Sequence, residues 1–282
     1  MSVGVKEASV HRANPSPELR PDEFEWIRRF LHQQSGIALN DSKRALVTGR
    51  LEKRLRHHRL GSYGDYFRLL GQPGQQAEAA LAVDLLTTNE TFFFREPKHF
   101  EFLREQLFIS HPRNRPLRCW SAASSSGEEA YTLAMLLAEH GPSEWEVIGT
   151  DISGRVIEKA QRGLYPLAAA DKIPLPLLKK YCLKGHDEYE GLLRIQDTLR
   201  ARVRFLRANL LQPLPELGLF DVILLRNVMI YFDMPTKQRL LDRLQPLLRP
   251  GGYFIISHSE TLNGISTALK PVQPSIYRSA GA

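Results

Sequence analysis

The sequence predicts an α/β fold, a doubly wound and mainly parallel sheet, preceded by a small all-helical domain. Two stretches and a rhythm carry this prediction. Arg118–Met135, RCWSAASSSGEEAYTLAM, reads as strand, tight small-residue loop and helix. Trp145–Asp151, WEVIGTD, reads as a second strand ending in an acid. Beyond it, strand-like and helix-like runs alternate, as in a sheet covered by helices on both faces.

In the first stretch, Arg118 to Ser121 have the bulk of a strand, whereas Ala122 to Ser126 carry almost no side chain and Gly127 permits positive φ. Backbone can therefore approach a ligand closely. Ala130, Leu133, Ala134 and Leu137 then recur at helical spacing. The first turn holds Glu128 and Glu129, which would repel a phosphate at a helix N-terminus, so a cationic or polyhydroxyl ligand fits better. The glycine fingerprint of dinucleotide enzymes is absent. A plain turn capped by Ser126 would look the same locally. Asp151 falls where a doubly wound sheet places its ribose-binding carboxylate, and it is also a position at which an acid or Ser153 caps a helix.

Taken from its start, the chain opens with a polar, proline-containing tail over 1–18, expected to be disordered. Four helices are expected over 19–86: from Pro21 to the Gly36 region, from Asp41 or Ser42 to Arg59, from Tyr66 and from Glu78 to Leu86. In the second, Val47, Leu51 and Leu55 form an apolar line beside a basic stripe of Lys43, Arg50, Arg54 and His57, joined by Lys53 and Arg56. Glu52 is the only acid from Lys43 to Arg59, and such one-signed charge reads as a docking surface. The linker, 87–110, contains TTNETFFFRE, whose three phenylalanines are expected to pack on the next domain.

The domain over 111–282 is expected to carry a β insert at about 185–205, in which Gly191–Ile195 and Arg200–Leu206 alternate as a hairpin feeding a central strand. FDVILLRN, Phe220 to Asn227, is the most apolar strand, and its polar end belongs to the ligand crevice of an open sheet. A helix from Pro235 to Leu248, a strand from Tyr253 to Ser257 and a last antiparallel strand from Val272 to Arg278 complete the domain.

The 282 residues are 43% hydrophobic and 24% charged, suited to two modest domains and without a membrane-length apolar run. Met1 to Pro17 shows no signal-peptide apolar region. Cys119 and Cys182 are the only cysteines, so no disulfide framework and no metal site is expected, and the reducing cytoplasm is the expected compartment. A net charge of +7 favours an acidic partner.

These motifs together resemble the chemotaxis receptor methyltransferases, the CheR family, along essentially the whole chain. The family's linker motif is matched by Asn89, Thr91, Phe93, Phe94, Arg95 and Glu96. Its cofactor loop resembles Trp120-Ser121-Ala122-Ala123 followed by Gly127-Glu128-Glu129, and its fourth strand resembles Arg226 to Phe232. Ser124 stands where many members have Cys and Ala130 where many have Pro.

The resemblance implies S-adenosylmethionine as cofactor, S-adenosylhomocysteine as product, and receptor glutamate carboxylates as methyl acceptors. It places Asn89, Thr91, Arg95, Glu129, Asp151, Asn209, Leu210, Asn227 and Val228 at the cofactor. Arg95 pairs with the methionyl carboxylate or with the incoming glutamate, and Arg95 and Tyr231 orient the acceptor. Lys43, Arg50, Lys53 and Arg54 are the expected docking cations for the cytoplasmic helical region of a methyl-accepting chemoreceptor, and the insert is an optional tether for a receptor C-terminal peptide. The expected protein is a monomer that neither binds nucleic acid nor inserts into a membrane. A nucleic-acid methyltransferase suits the charge, but no aromatic-proline motif for a flipped base follows Asn227. A non-catalytic cofactor-binding module remains the other reading of the same residues.

Overall fold

The computed structural model describes residues 17–112 and 114–281. The expected tail therefore lies almost wholly outside the described residues. The helical domain comprises α1 (Pro21–Ser35), α2 (Arg44–His57), α3 (Tyr63–Leu70) and α4 (Gln76–Leu86). Phe24, Ile27 and Leu31 of α1, Val47, Leu51 and Leu55 of α2, and Tyr66, Phe67, Val83 and Leu86 close one core. The apolar lines spaced three and four residues apart thus bury together, as an amphipathic helix requires. Gly36 ends α1 at φ 76°, where a Cβ would lie 2.3 Å from Leu211 of the following domain. Only glycine turns the chain so close to that surface.

The linker helix α5 (Pro97–Leu103) leads to the sheet. The second domain then runs β1 (Leu117–Ser121), α6 (Glu128–His140), β2 (Trp145–Asp151), α7 (Gly154–Arg162), β3 (Leu164–Pro166), α8 (Leu175–Tyr181), β4 (Cys182–Lys184), β5 (Leu192–Ile195), α9 (Asp197–Arg200) and β6 (Val203–Arg207). It closes with β7 (Phe220–Leu225), α10 (Met234–Leu244), β8 (Leu248–Ile256), β9 (Lys270–Gln273) and β10 (Ile276–Arg278).

The main sheet has the order β6-β2-β1-β7-β8-β10-β9. Its strands are parallel from β6 to β8, and β10 and β9 add antiparallel. Alternate residues of each strand serve opposite faces. Cys119, Val147, Val222 and Leu224 pack on the α6 side, while Trp120, Ile148, Ile223 and Leu225 pack on the side of α10.

Three expectations change. The insert is wider than a hairpin over about 185–205: β3, β5 and β4 form a separate antiparallel sheet that begins at Leu164. Nor does it feed a central strand, since β6 is the edge of the main sheet beside β2. The alternation in Arg200–Leu206 was real but served an edge strand, which is half exposed and so alternates more clearly than a central one. Likewise the single last strand is a pair, β9 and β10, divided by a turn at Ser275, where φ is 64°.

Of the three linker phenylalanines, Phe93 is buried against the Tyr165 ring at 5.0 Å and Phe94 packs on the same core. Phe92 stays exposed. No helix among the described residues is long and apolar enough to cross a membrane.

Candidate active site

The strand order reverses between β1 and β7. From β1 the sheet grows outward through β2 to β6, and from β7 it grows the other way. Loops leaving adjacent strands at such a point diverge and leave a crevice beyond the strand ends. A cleft of about 1320 Å³, open solvent included, lies there. The ends of β1, β2 and β7 line it, with the 89–95 linker above and Ile37, Ala38 and Leu46 of the helical domain on one wall. That wall is held by a bridge between Ile37 and Phe232 and by the Ala38 N–H, which donates to the Tyr231 carbonyl at 2.8 Å.

After β1, the loop of small residues turns under the cleft and Gly127 starts α6 at φ 95°. A Cβ there would lie 2.8 Å from Ala160 and 2.9 Å from Phe205, so the turn needs glycine for space as well as for backbone angle. Ser126 does not cap the helix; its hydroxyl bonds the Glu128 carboxylate. Glu128 is buried there, and burial raises its pKa. Glu129 faces the cleft instead, accepting from Ser121 Oγ at 2.7 Å and Arg226 Nη1 at 2.7 Å.

Asp151 ends β2 nearly buried. Its Oδ2 accepts the Ser125 N–H at 2.9 Å and its Oδ1 the Ser153 N–H at 3.0 Å. Ser153, not Asp151, caps α7. Burial drives the Asp151 pKa up to about 6 despite the two backbone donors. Each oxygen keeps a lone pair for a hydroxyl donor from the cleft.

The structure brings all the expected cofactor residues, together with Tyr231, to this cleft, although not all by their side chains. Asn209 turns its amide to the Gln34 carbonyl at 2.7 Å and uses Oδ1 to accept the Leu211 N–H. The Asn227 amide donates to Ser257 Oγ at 2.7 Å and Glu96 Oε1 at 3.3 Å, with φ at 58°. The Asn89 carbonyl accepts from Ser125 Oγ, tying the linker to the β1 loop. Arg95 donates to the Glu90 carbonyl at 2.8 Å and lies 5.6 Å from the Phe92 ring centre.

Lys43 also reaches the rim of the cleft, whereas Lys53 is exposed farther along α2. Arg50 and Arg54 do not form an open stripe with them. Arg50 donates to the Leu85 and Thr87 carbonyls at 3.0 and 2.6 Å, capping the end of α4. Arg54 grips Glu78 with two bonds, at 2.8 and 2.6 Å. The periodicity placed both arginines on one face of α2, but that face meets α4, and the acid that answers them sits on another helix.

Two groups that sequence reasoning left out of the site hold it together. Arg226, 2% exposed in its side chain, binds Glu129, Glu96 and the Arg95 carbonyl from below. Glu96 accepts Ser257 Oγ, Asn227 Nδ2, Arg226 and the His258 N–H. Burial opposes its ionisation, but Ser257 and Arg226 outweigh burial and hold its pKa at about 2. A lone arginine closing the chain's most apolar strand was the available signal, because a buried guanidinium needs acids around it.

Residues 89–277 match the family described as CheR methyltransferase, SAM binding domain, and residues 22–87 match its all-alpha domain. The chain belongs to the CheR methyltransferase family. A chemotaxis protein methyltransferase 2 of Pseudomonas aeruginosa is 42% identical over 264 residues, covering 92% of this chain and 93% of that protein. A chemotaxis protein methyltransferase of Salmonella typhimurium is 39% identical over 246 residues, covering 86% of this chain and 84% of that protein.

The CheR chain is thus an S-adenosylmethionine-dependent methyltransferase of chemotaxis. Its cleft fits this cofactor: Asp151 offers acceptors for ribose hydroxyls, and Glu129 offers negative charge near the first loop for a cationic group. A pyrophosphate would meet the same two acids.

Proposed function

We propose that this CheR protein methylates glutamate side-chain carboxylates of chemoreceptors, forming glutamate methyl esters in adaptation. One observation carries the reading: among the described residues that line the cleft there is no histidine or cysteine, the usual groups for removing a proton near neutral pH. Of the acids at its floor, Glu129 is paired with Arg226 and Asp151 takes two backbone donors. An amine, hydroxyl or ring nitrogen would need a base before attack. A glutamate with an ordinary pKa of about 4.3 arrives already ionised and needs none.

S-adenosylmethionine supplies a methyl group on a positively charged sulfur. Asp151 and the backbone at Asn209-Leu210 and Asn227-Val228 bind the cofactor, with Asn89, Thr91 and Glu129 around it. Arg95 and Tyr231 orient the acceptor carboxylate. Arg226 keeps Glu129, Glu96 and the Arg95 carbonyl in one arrangement. A carboxylate is a weak nucleophile, so in-line positioning and exclusion of water must supply most of the acceleration, together worth roughly 7–11 kcal/mol in favourable cases. The wall from the helical domain, Ile37 to Leu39, serves that exclusion.

The acidic helical methylation region of the receptor docks on α2 through Lys43 and Lys53. Arg56 and His57 are also exposed on this helix, whereas Arg50 and Arg54 shape the domain from within. The insert's sheet has open edges at β3 and β4, and a receptor's C-terminal peptide adds there as a further strand. The protein works in the cytoplasm as a monomer and has no nucleic-acid substrate. Transfer of labelled methyl from S-adenosylmethionine to receptor-enriched membranes, compared with RNA and DNA, tests the proposal. Alkali-labile label on receptor is expected, and base-stable label on nucleic acid refutes it.

A further inference from the structure

Near the active-site cleft, Glu96, just before the linker helix, and His99 within it meet His258, which follows the end of β8. One ligand atom from each lies within 4.8 Å of the other two. The sequence holds no metal motif here, because these residues come from distant parts of the chain. His99 is wholly buried, its Nδ1 has no hydrogen-bond partner, and that nitrogen stands 3.4 Å from Glu96 Oε2.

Ser275 determines where the imidazole protons sit. Its hydroxyl donates to the Pro274 carbonyl, so its oxygen is left to accept. His99 Nε2 lies 2.7 Å from that oxygen, and His258 places Nδ1 3.1 Å from it. Both rings therefore donate to Ser275, and each keeps a lone pair on its other nitrogen. In His99 that lone pair faces a carboxylate. Two lone pairs at this separation repel unless a cation lies between them.

We propose that Glu96, His99 and His258 form a binding site for a divalent ion of the zinc type. Two neutral imidazoles and a carboxylate are a ligand set for that ion, with a fourth position left to solvent at exposed His258. At metal–ligand distances of roughly 2.0–2.2 Å, adjacent ligand atoms of a tetrahedral site lie about 3.4 Å apart, which is the His99–Glu96 separation. Ser275 supplies the outer hydrogen bond to both rings that metal-ligating histidines almost always make.

The local charge accommodates a dication. Glu96 and Glu129 both bond the Arg226 guanidinium, and a third carboxylate, Glu260, accepts the neighbouring Asn227 and Ser257 N–H groups. Glu96 Oε2 also accepts Arg226 and the His258 N–H, both at 3.2 Å, and the ion would share that oxygen with them. The ion would clasp the linker helix to the end of β8 and so steady the Glu96 network near the cleft.

The test is titration of tag-free, chelator-stripped protein with zinc against a chromophoric chelator, together with the visible spectrum of the cobalt form. One equivalent per chain and a tetrahedral cobalt spectrum are expected. His258→Ala alters an exposed residue and should fold, yet it should lose affinity by more than the roughly 10–100-fold typical of an outer-shell change. Ser275→Gly, which relieves the left-handed backbone while deleting the hydroxyl, should fall within that range. Absence of a saturable equivalent in the wild type, or equal affinity in His258→Ala, overturns the proposal.

Discussion

Replacing Arg54 by Ala should damage the fold of the helical domain rather than the rate of substrate encounter. Its partner Glu78 is 9% exposed and is also bonded by the Tyr66 hydroxyl at 2.7 Å, with His58 Nε2 3.2 Å away. Burial alone would raise the Glu78 pKa, but Arg54, Tyr66 and His58 together bring it from 4.5 down to about 2. At about 1.4 kcal/mol per pH unit, that depression favours the ionised carboxylate by about 3 kcal/mol. Arg54 supplies the largest part, so its loss should cost about 2–3 kcal/mol and lower the melting temperature by roughly 4–12 °C.

The pH dependence has a definite sign. A depressed acid contributes its full stability above its unfolded pKa and loses it as pH falls through the folded value. The gap between wild type and Arg54→Ala should therefore be widest above about pH 5 and close towards pH 2. Thermal unfolding followed by circular dichroism across that range measures the gap, and Glu78→Gln in a double-mutant cycle isolates the pair. An Arg54→Ala protein with unchanged melting temperature but slowed methylation would refute the structural role and return Arg54 to the docking surface.

Other expectations concern binding. Cofactor affinity should be level at alkaline pH and weaken towards tenfold per pH unit below about 6, as Asp151 protonates in the free protein; calorimetric titration measures it. Asp151→Ala should lose the ribose bonds, worth roughly 1.5–3 kcal/mol each to a charged acceptor, and unchanged affinity would leave Asp151 as a loop-shaping acid only. Lys43→Ala with Lys53→Ala should keep cofactor affinity and flatten the dependence of methylation rate on ionic strength, losing at most some tens-fold; parallel salt curves with equal rates would move docking elsewhere. Receptor tail peptides ending in an aromatic residue should bind the β3-β5-β4 sheet, and absence of binding at millimolar peptide removes the tether.

The legible parts of the chain were those set by local pattern. Trp145–Asp151 is the strand that was expected, residue for residue, and α1 runs from Pro21 towards Gly36 because proline and glycine mark those ends. The small-residue loop and Asp151 lie at one crevice, as their spacing implied. What local pattern could not show was which surfaces face each other. Arg50 and Arg54 read as part of an open docking surface because Glu78 and the α4 carbonyls that hold them are remote in sequence. The insert's first strand, Leu164–Pro166, is three residues long and contains proline, so no periodicity marked it. The wall made by Ile37 and Ala38 depends on domain docking through Gly36, which no single segment encodes.

The central claim, that an acceptor carboxylate is methylated without a base, is tested most directly by mapping the product on a purified receptor cytoplasmic fragment incubated with S-adenosylmethionine. Mass spectrometry should locate one added CH₂ on glutamate residues of the helical region, and mild alkali should release it as methanol. A modification that resists alkali, or that lies on lysine, arginine or a hydroxyl side chain, would contradict the account, because those acceptors need a proton removed and no histidine or cysteine among the described lining residues is there to take it.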